Sequence, residues 1–186
     1  MTMKQAPEIH VAIVGGGIVG LITAIGLLKR NVSVKIYEQA RAFREIGAGV
    51  AFTANAMTCM EYLDPAIVEA VNAVATTNGE DTEKPNDYLR FHDGYHWDPN
   101  DPENTDDALL DLLHTGLKGF QGCNRAHLLD ELVKLVPKHA VEFKKRLVGC
   151  HERGTDGRVQ LRFEDGSTAE ADMGKSTNLN RTHIYL

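Results

Sequence analysis

Residues 9 to 38, IHVAIVGGGIVGLITAIGLLKRNVSVKIYE, constrain the fold more than any other stretch of the chain. Ile9 to Val14 is an apolar, β-branched run, the composition of a strand buried on both faces. Gly15, Gly16 and Gly17 follow at once, then Gly20, so Gly15, Gly17 and Gly20 spell G-x-G-x-x-G. Dense apolar residues from Ile18 to Lys29 predict a packed helix, and the alternation of Val32 to Tyr37 predicts a second strand closed by Glu38. Each piece has a physical job. Gly15 permits a sharp turn out of the strand, a bare Gly17 lets backbone approach a pyrophosphate, and Gly20 lets helix and strand pack tightly. The helix N-terminus offers N–H groups and the positive end of its dipole to phosphates. Glu38, 18 residues beyond Gly20, stands where a carboxylate accepts hydrogen bonds from both hydroxyls of an adenosine ribose. A lone G-x-G-x-x-G is weak evidence. Between a strand and a helix, with an acid ending the next strand, it predicts a dinucleotide site rather than a merely structural glycine turn.

Length and composition narrow the classes. The 186 residues fit one domain or one and a fraction, and 42% hydrophobic residues suffice for a core. A net charge of −6 argues against nucleic acid or an anionic membrane as the main partner. Cys59, Cys123 and Cys150 are odd in number and scattered, without a C-x-x-C, which predicts reduced, mostly buried thiols in a cytoplasmic protein. Met1 to Glu8 is polar, so no signal peptide is expected. No uninterrupted apolar stretch is long enough for a transmembrane helix.

Further along, Ile46 to Phe52 carries Gly47 and Gly49 and reads as a turn leading into an extended piece. Ala54 to Leu63 predicts a short helix, with Asn55 as a cap and Pro65 as its stop, and Ile67 to Ala75 a second one. Thr76 to Asp87 reads as a loop, and Tyr88 to Trp97 as two short strands meeting at Asp93-Gly94. Acidic Asp98 to Asp107 predicts an exposed loop. Helical periodicity resumes from Asn124 to Val136 and ends at Pro137, and Val141 to Cys150 reads as one strand. Val159 to Phe163 and Thr168 to Asp172 predict a hairpin about Asp165-Gly166. Met173 to Leu186 is polar and fits neither period.

Four of these stretches together resemble the class A FAD-dependent aromatic hydroxylases of the salicylate hydroxylase type. VAIVGGGIVGLITAIGL is similar to that family's FAD-binding opening. IYEQARAFREIGAGVAFTANA resembles its ribose-binding strand end and the G-A-G segment that follows. CNRAHLLDEL is close to a motif whose arginine, here Arg125, contacts the flavin cofactor. The Asp165-Gly166 hairpin leads, in the family, to the next motif. The resemblance implies a three-layer α/β Rossmann-like FAD-binding fold, with a parallel sheet, an antiparallel hairpin and the start of a substrate-domain insertion. On that basis residues 1–75 form the FAD-binding segment, 76–120 the insertion, 121–172 the continuation of the FAD domain and 173–186 a divergent tail. It further implies FAD as cofactor, NADH or NADPH as transient reductant, and a small phenolic or aromatic substrate hydroxylated with O2. The cofactor-binding residues implied are Gly15, Gly17, Gly20, Glu38, Arg44, Gly49, Ala51 and Arg125. Catalytic residues and oligomeric state are left open. After Ala171-Asp172 the family's next motif, with its Asp-Gly pair, is replaced by Met173-Gly174-Lys175-Ser176-Thr177, and its later G-D motif does not occur. A truncated product inactive on its own, or a reading frame that departs near Met173, is therefore expected.

Other constellations carry less. His92 and His96 flank Gly94 in an expected hairpin rather than on one helix face, so their rings need not converge, and no metal is expected. Arg44 is either a cofactor contact or a solvated arginine, and His127 lacks a catalytic partner. There is no G-x-S-x-G elbow and no Tyr-x-x-x-Lys pair. Two alternative functions stay open: a catalytically dead nucleotide-binding module and an NAD(P)-dependent reductase.

Overall fold

A computed structural model of the protein describes residues 9–43, 48–77, 88–95, 109–114, 121–153 and 158–176. In chain order the elements of the first half are β1 (His10–Val14), α1 (Ile18–Leu28), β2 (Ser33–Glu38), β3 (Gly49–Phe52), α2 (Ala54–Leu63), α3 (Pro65–Asn72) and β4 (Ala75–Thr77). They are followed by β5 (Tyr88–His92), β6 (Leu109–His114), β7 (Gln121–Asn124), α4 (Arg125–Lys134), a 3-10 turn at Lys138–Ala140 and β8 (Val141–Phe143). β9 (Leu147–Arg153), β10 (Arg158–Phe163), β11 (Thr168–Ala171) and β12 (Met173–Ser176) close the series.

The centre is a parallel sheet in the order β12-β1-β2-β8. Val11 lies beside Val34 and Ile13 beside Ile36 in its register. Successive strand residues point to opposite faces, and both faces of β1 are covered. Val11, Ile13, Val34 and Ile36 enter one core with Leu21 and Ile25 of α1, Met60 of α2, Ile67 of α3 and Leu128 and Leu132 of α4. Ala12, Val14 and Tyr37 enter a second core with Val159, Leu161 and Phe163 of β10. The antiparallel sheet β11-β10-β9 thus forms the third layer, closed by a turn in which Gly166 has φ +82°. This is the three-layer α/β arrangement with a hairpin beside a parallel sheet that the sequence predicts.

Several expectations need correction. Val141 to Cys150 is two strands, not one: β8 pairs with β2 in the central sheet, and β9 pairs with β10 in the outer one. The chain changes layers between them, with Lys144 at φ +60°. The strand at Tyr88 pairs with β6, whereas the expected partner followed Asp93-Gly94; there Asp93 makes only a local bend, accepting from the N–H of Tyr95 at 3.0 Å. The leucine-rich Leu109–His114 offers a full-length partner, and Trp97 lies outside the described residues. Helix α2 is N-capped at Thr53 rather than Asn55. Pro65 opens α3 as well as following α2, at a position where a missing N–H costs no helical bond, while Asp64 accepts from the N–H of Ala66. Ala75 to Thr77 is a strand beside β7. Met173–Ser176, which fits no periodicity, pairs in parallel with β1, because backbone pairing requires no apolar alternation. Residues 177–186 lie outside the described residues.

Candidate functional site

The site begins where β1 ends. Gly15 leaves the strand at φ +108°, a backbone region that side chains disfavour, and its N–H donates to the carbonyl of Tyr37 at 2.9 Å. The turn is thereby tied to the end of β2. At Gly20 the need is space: a Cβ there would lie 2.0 Å from the Gly15 carbonyl oxygen. Only a bare Cα lets the first turn of α1 sit this close to the glycine turn. Gly17 is the N-cap of α1, makes no side-chain cap, and no acid occupies the first turn. The amides at this end therefore present donors and a positive dipole end without a neighbouring carboxylate on their own helix.

Glu38 closes the other side. Its carboxylate accepts the N–H of Gly16 at 2.6 Å and of Ala40 at 2.8 Å. Two backbone donors fix its orientation. A carboxylate has about four acceptor positions, so two remain for a diol. An uncapped helix end, a close glycine turn and an oriented acid beside it fit an adenosine pyrophosphate such as that of FAD. Phe43, which the sequence reading passed over, completes this wall. Its Cε1 lies 2.5 Å from where a Cβ on Gly16 would be, and its ring meets Phe143 edge-on, with centroids 4.9 Å apart. The available signal was a single aromatic in the otherwise polar stretch after the strand-ending acid.

A second group lies on the small sheet β3-β7-β4. Gly49 pairs with Asn124 and Ala51 with Gly122, and the N–H of Arg125 donates to the carbonyl of Ala48 at 3.0 Å. Asn124 caps α4 by accepting from Ala126 and His127, which places Arg125 at the first helical position. The fold thus brings Gly49, Ala51 and Arg125 together. Arg44 lies outside the described residues. His92 is exposed, His96 lies outside the described residues, and among the described residues no cluster of three or more His, Cys, Asp or Glu could hold a metal.

No protein-family model matches the chain. A salicylate hydroxylase of Sarocladium schorii is 47% identical over 173 residues, covering 91% of this chain and 35% of that protein. An FAD-dependent monooxygenase of Monascus ruber is 48% identical over 170 residues, covering 91% of this chain and 37% of that protein. Over most of its own length the chain is a homologue of salicylate hydroxylase-like FAD-dependent monooxygenases. Among solved structures, a salicylate hydroxylase substrate complex superposes with a TM-score of 0.69 at 26% identity, over 94% of this chain and 36% of that one. The Klebsiella pneumoniae protein HpxO, solved with FAD and uric acid, shares the fold, with a TM-score of 0.66 at 19% identity over 94% of this chain and 40% of that one. The chain spans a little over a third of the length of the curated relatives it matches.

Proposed function

We propose that the chain is the FAD-binding portion of a monooxygenase that hydroxylates a small phenolic or aromatic substrate with NADH or NADPH and O2. The observation that carries this reading is the Glu38 carboxylate, held by the Gly16 and Ala40 amides next to the uncapped start of α1. Gly15, Gly17 and Gly20 would hold the pyrophosphate and Glu38 the ribose hydroxyls. Gly49, Ala51 and Arg125, with Arg44, would serve the flavin side. A carboxylate at the ribose repels a 2′-phosphate, which favours FAD over NADP-type ligands. When bound, FAD supplies electron acceptance from the nicotinamide and activation of oxygen; the protein's part is to bind, orient and shield it.

The proposed division follows the chain: residues 1–75 and 121–172 build the FAD domain, 76–120 start a substrate domain, and the sequence diverges over 173–186, although Met173–Ser176 still adds a strand beside β1. Support for the insertion comes from the β5–β6 ribbon, which leaves Phe91, Leu110, Leu112 and Leu113 exposed. An isolated two-stranded ribbon is marginal in water, so these leucines suit a larger sheet. Three free cysteines fit a reducing, cytoplasmic setting, although only Cys123 is buried, Cys150 being half-buried and Cys59 exposed where the sequence predicts mostly buried thiols. Among the described residues no helix is long and apolar enough to cross a membrane.

Shielding a reactive flavin from water needs a closed pocket, and the 186 residues span a little over a third of the matched relatives. The expected behaviour of this chain alone is weak FAD binding without hydroxylation. The test supplies the purified chain with FAD, NADH or NADPH, and salicylate-like phenols under labelled O2. Failure to take up FAD would overturn the reading. Labelled product above a no-protein control would show that these residues suffice for the whole reaction.

A further inference from the structure

We propose that Lys145 is a positioning residue for the nucleotide site, pinning the end of β2, and with it the Glu38 carboxylate, to the β10–β11 turn. The inference rests on reading Glu38 as the ribose acceptor. Two short links run from the Lys144–Lys145 segment to the strand end: the N–H of Lys145 donates to the Glu38 carbonyl at 2.9 Å, and the N–H of Lys144 to the Ala40 carbonyl at 2.9 Å. Ala40 in turn donates its own N–H to the Glu38 carboxylate. The strap that holds the backbone of Glu38 therefore also holds one of the two donors orienting its side chain. At its other end the Lys145 ammonium donates to Asp165 Oδ2 at 2.8 Å and to Ser167 Oγ at 2.7 Å.

That end is itself well fixed. Asp165 Oδ1 accepts from both the N–H and the hydroxyl of Ser167, and the N–H of Phe163 donates to the Ser167 carbonyl. The Lys145 side chain is mostly covered, with 19% relative exposure, and its ammonium lies 5.5 Å from the centre of the Phe163 ring. Phe163 packs on Tyr37, the residue before Glu38, with ring centroids 4.8 Å apart. Lys145 thus reaches Glu38 by a hydrogen-bonded route and by a packed one. Neither Asp165 nor Ser167 has a position in the site; their turn also meets the strap through the Glu164 N–H, which donates to the Arg146 carbonyl at 2.9 Å, and the lysine ammonium is what ties Asp165 and Ser167 themselves to it. The left-handed Lys144, at φ +60°, makes this strap one that a relaxed loop would not keep unaided.

The experiment compares ADP with 2′-deoxy-ADP by calorimetry on the full 186-residue chain and on K145M, K145R and D165N. Wild type should prefer ADP by roughly tenfold or more, the value of a hydrogen bond to a charged acceptor. K145M keeps the aliphatic stem but loses the ammonium, and should narrow the preference to roughly two- to threefold. K145R should restore most of it, and D165N should narrow it in smaller measure, which keeps the test usable where K145M fails to fold. A K145M preference equal to wild type, in a wild type that does discriminate, overturns the role of Lys145 alone. A wild type indifferent to the 2′-hydroxyl overturns the ribose reading of Glu38 and this inference with it.

Discussion

Replacing Gly20 by alanine tests the closest approach in the site. The added Cβ would sit 2.0 Å from the Gly15 carbonyl oxygen and 3.5 Å from Ile13 Cγ2. Cβ atoms essentially never come within 3.0 Å of another heavy atom, so turn and helix must part by at least about 1 Å. The obstructing atom is backbone, held by the Gly15 N–H bond to Tyr37, and no side chain can swing away to relieve it. Overpacking typically costs 1–3 kcal/mol, and a backbone clash belongs near the upper end, about 3 kcal/mol. Alanine returns at most about 1 kcal/mol in helix propensity. The net loss of about 2 kcal/mol corresponds to a fall in melting temperature of about 4–8 °C for a chain of this size. Gly49→Ala is the control: nothing lies within 4 Å of its Cβ position, and it should change stability by less than about 0.5 kcal/mol. Thermal denaturation followed by circular dichroism reads both. A G20A protein melting within about 1 °C of wild type would refute the packing argument.

Two further outcomes follow from side chains away from the glycine turn. Arg30 donates to the carbonyls of Gly26, Leu63 and Tyr62, joining the C-terminal ends of α1 and α2, so R30A should lower stability in urea by about 1–2 kcal/mol, discounted for exposure. Hydrogen bonds from Lys145 and Ser167 hold the Asp165 carboxyl well below the usual carboxylate range. A lowered folded pKa gives stability that is complete above the unfolded value of about 4 and is lost as pH falls toward the folded value. The gap in urea midpoint between wild type and D165N should therefore be constant near neutrality and shrink as pH drops from about 4; a gap that widens on acidification would contradict the assignment.

The β1-α1-β2 unit was legible because its signals are local. Ile13 belongs to a continuous apolar strand and Ile36 to an alternating one, and the glycines and Glu38 sit at strand ends fixed by those strands. The break at Lys144 was not, since nothing in Glu142-Phe143-Lys144-Lys145 marks a left-handed residue. Nor was β12, whose pairing with β1 is a backbone matter that Met173-Gly174-Lys175-Ser176 does not advertise. Gly49 and Arg125 were each singled out by resemblance to a family motif, but their meeting depends on β3 pairing with β7, a long-range register. Phe43 was missed because an aromatic gains its role here from what it faces, the bare Cα of Gly16 and the ring of Phe143, and neither is near it in sequence.

The central claim is that Glu38 receives the adenosine ribose of FAD. Fluorescence titration of the chain with FAD, for wild type and E38A, tests it most directly. The loss of hydrogen bonds to a charged acceptor should weaken binding by about 1.5–3 kcal/mol, or roughly 10- to 150-fold, with E38A still folded but melting somewhat lower, since the Gly16 and Ala40 amides lose their acceptor. A well-folded E38A protein that binds FAD as tightly as wild type would contradict the account.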